Sequence, residues 1–284
     1  MIKTNCELPV PLLEQNVELN DFDFVLYHLL LKNKKYREYF TEIRKKDPQR
    51  LMIMDNSSYE FFVSKKKFKV EDFVDCVKEI QPDYYILPDT LMRMEKTLED
   101  SVDFHRNYGP EIYCDTDHRS LPLAVIQGVN PEELIRCLKM FKRQCLYAIG
   151  IPFHNSFYKD LKVDADIKKV FCDWHDVKKP SEDMKYAMGR VQFLRDNADA
   201  FKFCEHIHIL GSHDPYEKVF IDKIFPDRSL TMDTGYPVKI AINGWELGKT
   251  ADKPEIILDE FLDQPLDPSI LELIKNNVKT FKNL

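Results

Sequence analysis

The chain has 284 residues, 44% apolar and 31% charged, with 41 Lys+Arg against 48 Asp+Glu. That composition supplies a sizeable core, contains no apolar run near the ~20 residues of a membrane span, and excludes a chain-wide basic coat for nucleic acid. Only 8 glycines are present and none forms a Gly-rich phosphate loop, which excludes P-loop and GxGxxG nucleotide enzymes.

In chain order, short apolar or β-branched runs alternate with amphipathic stretches. The runs are 22–31 (FDFVLYHLLL), 50–57 (RLMIMDNS), 83–89 (DYYILPD), 121–128 (LPLAVIQG), 146–152 (LYAIGIP), 206–211 (HIHILG) and 229–235 (SLTMDTG), with a weaker eighth at 238–244 (VKIAING). Helices are expected over about 34–46, 70–80, 92–107, 131–143, 181–200, 215–224 and 268–282. Asn130-Pro131-Glu132-Glu133 has the form of an N-cap, a proline at the first helical position and acids in the first turn. Buried-type strands alternating with helices predict a parallel sheet, and seven or eight units over this length predict a (β/α)8 barrel of the TIM type in an α/β chain. No composition break marks a linker, so 1–284 reads as one domain, interrupted by an irregular insertion at about 153–180.

The remaining global features are compatible with an intracellular enzyme. The start, MIKTNCELPVP, has no apolar signal core, and the seven cysteines include no CxxC pair, so a cytoplasmic, disulfide-free protein is expected. Charge is unevenly placed: residues 32–69 carry 12 Lys/Arg and 5 Asp/Glu, or +7, which leaves −14 for the rest. Lys65, Lys66 and Lys67 stand out there as candidate phosphate contacts, against the alternative of a solvated helix face.

In such a barrel the chemistry gathers at the C-terminal ends of the strands. Those ends read Asp55-Asn56-Ser57-Ser58-Tyr59-Glu60, Pro88-Asp89, Gln127-Gly128, Gly150-Ile151-Pro152, Leu210-Gly211 and Asp233-Thr234-Gly235. Asp and Gly are also ordinary turn residues, but three carboxylates, a carboxamide and four glycines on one rim are more than turns require. Two apposed carboxylates can serve as nucleophile and general acid/base at an anomeric carbon. Three could instead hold a divalent cation.

The ordered set resembles the guanine transglycosylase family, the base-exchange enzymes that replace guanine by a 7-deazaguanine in nucleic acid. That family's series runs Asp-Ser-Gly-Gly-aromatic, Asp, Val-Gln-Gly, Tyr-Ala-Ile-Gly, His-x-x-(Met/Leu)-Gly and a strand-closing Asp. Here the pieces read DNSSYE, LPD, VIQG, YAIG, HILG and MDTG over 55–235, about two-thirds of the chain. The resemblance implies Asp233 as the nucleophile at C1′ and Asp55 as the general acid/base. It further implies that Asp89, Gln127 and backbone at Gly128, Gly150 and Gly211 read the guanine-like edge, with Asn56 in the pocket wall and Tyr59 and Leu210 sandwiching the ring.

Two departures qualify the likeness. The family's tRNA-acting members carry a C-terminal Cys-x-Cys-x-x-Cys…His zinc site, whereas no Cys follows Cys204 and no His follows His213 here. The family's Ser-Gly-Gly is Asn56-Ser57-Ser58. A barrel lacking the zinc subdomain is similar to short virus-encoded relatives acting on DNA. DNA and a preQ0-like 7-deazaguanine base are therefore the expected partners, with tRNA as the alternative polymer. No membrane, metal or cofactor is expected, and the oligomeric state is open. A carboxylate-based N-glycosidase or hydrolase and a silent base-binding module remain alternatives from other classes.

Other constellations are weaker. Cys204, His206 and His208 alternate on one strand face and make a poor tetrahedral zinc cage. Cys172 and His175 have a CxxH spacing without a partner pair, and Trp174 and Trp245 read as packing residues rather than base-stacking ones.

Overall fold

A computed structural model of the protein describes residues 1–117, 119–153, 155–248 and 262–283. Eight parallel strands run β1 (Lys3–Cys6), β2 (Asp23–Leu26), β3 (Met52–Asp55), β4 (Tyr84–Ile86), β5 (Leu121–Val125), β6 (Ala148–Ile151), β7 (His206–Ile209) and β8 (Ser229–Thr234). Their order, β1-β8-β7-β6-β5-β4-β3-β2, makes a nearly closed (β/α)8 barrel of the TIM type. The helices are α1 (Asn16–Leu19), α2 (Tyr27–Lys32), α3 (Lys34–Lys46), α4 (Ser58–Ser64), α5 (Val70–Ile80) and α6 (Met94–Asp115) in the first half. The second half has α7 (Pro131–Arg143), α8 (Ala165–Trp174), α9 (Glu182–Asp196), α10 (Tyr216–Ile224), α11 (Tyr236–Ile242) and α12 (Pro268–Asn283).

The β1–β2 seam lacks a strand ladder and is closed mainly by side chains, with one backbone bond from the Asp21 amide to the Thr4 carbonyl at 3.0 Å. Asn20 accepts from the Cys6 amide (2.8 Å) and donates to the Cys6 carbonyl (2.9 Å), while Asn5 Nδ2 donates to the Phe22 carbonyl (2.8 Å). Asn20 thus satisfies the edge groups that a neighbouring strand would otherwise take.

Several expectations are corrected. The eighth strand is β1 at the N-terminus, and 238–244 is not a strand: Pro237 opens α11, whose Val238, Ile240 and Ala241 are buried. Only Asp23–Leu26 of the 22–31 run is extended, and the chain turns directly into α2. Helix α6 continues through Gly109 and Pro110 to Asp115. The 153–180 stretch is not wholly irregular, since it contains a 3-10 turn over Ser156–Asp160 and α8; its residue His154 lies outside the described residues. Its apolar side chains Phe153, Ile167 and Phe171 join Met184, Met188 and Val191 of α9 in a satellite core beside the main one. The Asn130 cap forms as expected, accepting from the Glu133 amide at 2.8 Å.

Alternation decides what fills the barrel. Register pairs Gly150 with His208, His208 with Thr231 and Asn5 with Asp233, so these residues share the inner face. Phe24 stacks on His208 with centroids 5.1 Å apart, and Tyr84 stacks on His206 at 4.6 Å.

Candidate active site

The candidate residues are presented where strands end. Asp55 closes β3, Asp89 follows β4, Gln127 follows β5, Gly150 lies in β6, Leu210 and Gly211 follow β7, and Asp233 lies near the end of β8. Asp55 turns the chain into α4 by accepting the Ser57 amide at 2.7 Å. Ser57 occupies the left-handed region at φ 56°, which an L-residue enters at a cost of about 1 kcal/mol, and the turn holds it there. Its buried hydroxyl accepts from the His28 amide (3.1 Å) and meets His28 Nδ1 (2.9 Å).

Asp89 is held at both oxygens. Asn56 Nδ2 donates to Oδ1 (2.9 Å) and Gln127 Nε2 to Oδ2 (2.7 Å), while Gln127 Oε1 accepts the Met92 amide (2.9 Å). Asn56 and Gln127 are both buried, so they fix the orientation of Asp89. Burial pushes the Asp89 carboxyl above the usual carboxylate range, and hydrogen bonds from Asn56, Ser58 and Gln127 pull against that rise.

Asp233 is buried, and its Oδ1 accepts the Gly211 amide at 3.0 Å. Gly211 adopts φ +54°, and its carbonyl accepts Arg190 Nη2 at 2.9 Å. Arg190 also reaches the Leu210 carbonyl (2.7 Å) and pairs with Glu217 through Nε–Oε1 (2.9 Å) and Nη2–Oε2 (2.7 Å), both side chains being wholly enclosed. A buried ion pair from α9 and α10 therefore fixes the loop that presents an N–H to Asp233.

The mouth is strongly anionic. Burial, then the charge of Glu60, holds the Asp55 carboxyl well above the usual range, with Asp233 and Asp89 adding to it and the Ser57 amide opposing. Glu7, just beyond β1, is raised in the same direction by burial and then by Asp233, with Lys239 opposing and Glu60 and Asp55 contributing. Asp55 thus feels the charges of Glu60, Asp233 and Asp89, and Glu7 those of Asp233, Glu60 and Asp55, which gathers five acids around one mouth. Glu7, Glu60 and Lys239 escaped the sequence reading. Glu60 stood inside the DNSSYE motif with no role assigned, and Glu7 could be placed only by recognising β1.

The other candidates divide. A Cβ on Gly128 would meet Glu133 Cβ at 2.7 Å and Leu134 Cδ1 at 3.0 Å, so the missing side chain there lets α7 approach. Gly150 leaves room for Val125, Leu123 and Leu210, whose nearest atoms lie 3.0–3.2 Å from such a Cβ. Tyr59 and Phe62 of α4 are 54% and 72% exposed, and Lys65, Lys66 and Lys67 follow that helix as exposed side chains with no ion pair among the described residues. A separate cavity of about 410 Å³, lined by Ser58, Phe68, Asp89, Phe104 and Tyr108 among others, opens beside Asp89 and does not include Asp55 or Asp233 in its lining.

Among the described residues no group of three His, Cys, Asp or Glu is arranged to hold a metal. His175 Nε2 is engaged with Asp214 Oδ2 at 2.6 Å, and burial pushes the Cys204 thiol up to about 12. Trp174 packs against Tyr216 with ring centroids 4.8 Å apart. No described helix is long and apolar enough to cross a membrane. No protein-family model and no curated protein matches this chain.

Proposed function

We propose that the barrel is a nucleic-acid guanine transglycosylase, exchanging guanine for a 7-deazaguanine in DNA through a covalent aspartyl-nucleotide. The observation that carries this reading is the apposition of two carboxylates at one mouth. Burial and Glu60 drive Asp55 toward its protonated form against the Ser57 amide it accepts, and the charge of Asp233, whose Oδ1 accepts the Gly211 amide, adds to that rise. A carboxyl held toward its acid form beside a second carboxylate is how one site supplies a proton donor and a nucleophile together. In the first step an Asp233 oxygen bonds to C1′, the C1′–N9 bond breaks, and the departing guanine keeps the electron pair and takes up the Asp55 proton. In the second, the incoming base returns a proton to Asp55, bonds C1′ and releases the Asp233 carboxylate.

Asp89 supports the same reading. With Asn56 and Gln127 each donating to one oxygen, it retains lone pairs to accept the N–H groups of a guanine-like edge. The exposed rings of α4 and the lysines after it suit an unstacked base and its flanking phosphates.

The test incubates the protein with duplex DNA, tRNA and labelled guanine in parallel. Label should enter DNA, and a denaturation-resistant protein–DNA adduct should form that Asp233→Asn abolishes. Absence of exchange into both polymers, or an undiminished adduct in the Asn variant, overturns the proposal.

A further inference from the structure

Beneath Asp233 the barrel interior holds a line of polar side chains that base exchange, as described, does not use. His206 Nδ1 lies 2.9 Å from Ser229 Oγ, and its Nε2 lies 2.9 Å from Thr231 Oγ1. Thr231 Oγ1 lies 2.8 Å from His208 Nδ1, and His208 Nε2 lies 3.1 Å from Asp233 Oδ1. That last contact is out of hydrogen-bonding line, which leaves Nε2 a buried polar atom with no aligned partner among the described residues. His208 is wholly enclosed between the Phe24 face and the Phe22 edge. Burial, then His208 and Lys3, pushes the His206 imidazole down to about 3, so His206 is neutral at ordinary pH.

Donor and acceptor accounting sets the polarity of this line. A neutral imidazole has one donor and one acceptor, and a hydroxyl has a single proton to give. With its proton on Nδ1, His208 would aim the Nε2 lone pair at the Asp233 carboxylate, two acceptors in a dry interior. With the proton on Nε2, His208 donates toward Asp233 and Nδ1 accepts from Thr231. Thr231 then accepts from His206 Nε2–H, and His206 Nδ1 accepts from Ser229. Every group between Ser229 and Asp233 is then served without placing a charge on either imidazole.

We infer that His208 is a positioning residue for Asp233: a neutral imidazole whose Nε2–H, oriented by Thr231 and His206, steadies Oδ1 beside the Gly211 amide and leaves Oδ2 to attack. The inference rests on the reading of Asp233 as nucleophile. Hydrogen bonds in series polarise one another, so the string strengthens the donor at its Asp233 end. A small rotation of the carboxylate brings Nε2–H into line, as catalytic hydrogen bonds that are poorly aligned in a free enzyme tighten with substrate bound.

Two readouts test this. Long-range 1H–15N NMR of the full chain labelled at histidine should show His206 and His208 as neutral Nε2–H tautomers near pH 7. Thr231→Val should shift the His208 nitrogen resonances, and Thr231→Ser should restore them. In single-turnover adduct formation, His208→Phe keeps a ring against Phe24 but should slow the step at least tenfold with little change in the DNA concentration needed. His208→Gln, which can still present an N–H, should recover part of the rate. A His208 proton on Nδ1, a charged His208 ring at pH 7, or wild-type adduct rates in His208→Phe overturn the inference. If the wild-type protein forms no adduct at all, base exchange fails as a function, while the NMR tautomers still decide the string.

Discussion

Replacing Arg190 by Met tests whether the enclosed Arg190–Glu217 pair is what holds the loop at Asp233. The substitution keeps most of the volume and strands the Glu217 carboxylate, which among the described residues then retains the Ser212 hydroxyl at 2.5 Å as its side-chain donor. Breaking a buried pair from one side costs about 3–5 kcal/mol, because an uncompensated charge remains. A domain's whole stability is about 5–15 kcal/mol, so the folded-to-unfolded ratio falls on the order of a thousandfold and the melting temperature by about 10 °C. Burial already raises the Glu217 carboxyl, with Arg190 opposing, so the variant's carboxyl rises further. A carboxyl with a raised folded-state pKa contributes stability at low pH that is lost as pH rises through it. The Met variant should therefore lie closer to wild type at pH 5 than at pH 8 in urea unfolding. Glu217→Leu added to Arg190→Met should recover most of the loss. A loss under about 1 kcal/mol at neutral pH, or an equal loss at pH 5 and pH 8, refutes the reasoning.

Asp55→Asn should stop exchange and also stabilise the protein, by about 0.5–2 kcal/mol in denaturant melts at pH 7, because it removes a carboxylate that burial and Glu60 disfavour. That gain should shrink as pH falls, since acid neutralises the wild-type Asp55 as well. Neutralising Lys65, Lys66 and Lys67 together should weaken DNA binding and flatten its dependence on salt, measured by anisotropy, while exchange at saturating DNA is largely kept. Gly189→Ala should destabilise by about 3 kcal/mol or more in urea titration, because the new Cβ would sit 1.9 Å from the Tyr158 carbonyl oxygen and force α9 off the 156–160 turn.

Strands β3 to β8 were legible because β-branched and apolar residues run together there and end at Asp, Gln or Gly. Strand β1 was not, since its KTNC turns Lys3 and Asn5 inward and offers no apolar signal. The Val238 and Ile240 alternation imitated a strand, although Pro237 one residue earlier marks the first turn of a helix. Helix α6 was cut short at 107 because Gly109-Pro110 reads as a stop, and the helix continues through it. At the site, alternation correctly put Cys204, His206 and His208 on one face as far as the two histidines go. What no pattern could show was that their partners are Ser229, Thr231 and Asp233, because the register between β7 and β8 decides that. The Arg190–Glu217 clamp was invisible for the same reason, joining two helices 27 positions apart.

A mouth holding five carboxylates is a poor match for a polyanion unless charge is arranged by depth. Asp55, Asp89 and Asp233 sit at strand ends, where on the proposed reading an extruded base and its sugar would reach. The lysines lie beyond α4, whose seven residues span roughly 10 Å at ~1.5 Å per residue. A helix of that length is about one screening length at physiological salt, so on the proposed function the lysines would meet backbone phosphates largely screened from the strand-end acids. The upward push on Asp55 and Glu7, by burial first, favours their neutral forms and so lessens the negative charge that a nucleic-acid strand would meet. The two observations that look contradictory in the sequence, a net charge of −7 and a +7 segment wrapped around Asp55, are then one arrangement. Under the proposed base exchange, cations at the rim would position a polyanion and acids in the well would act on the nucleotide that leaves its stack.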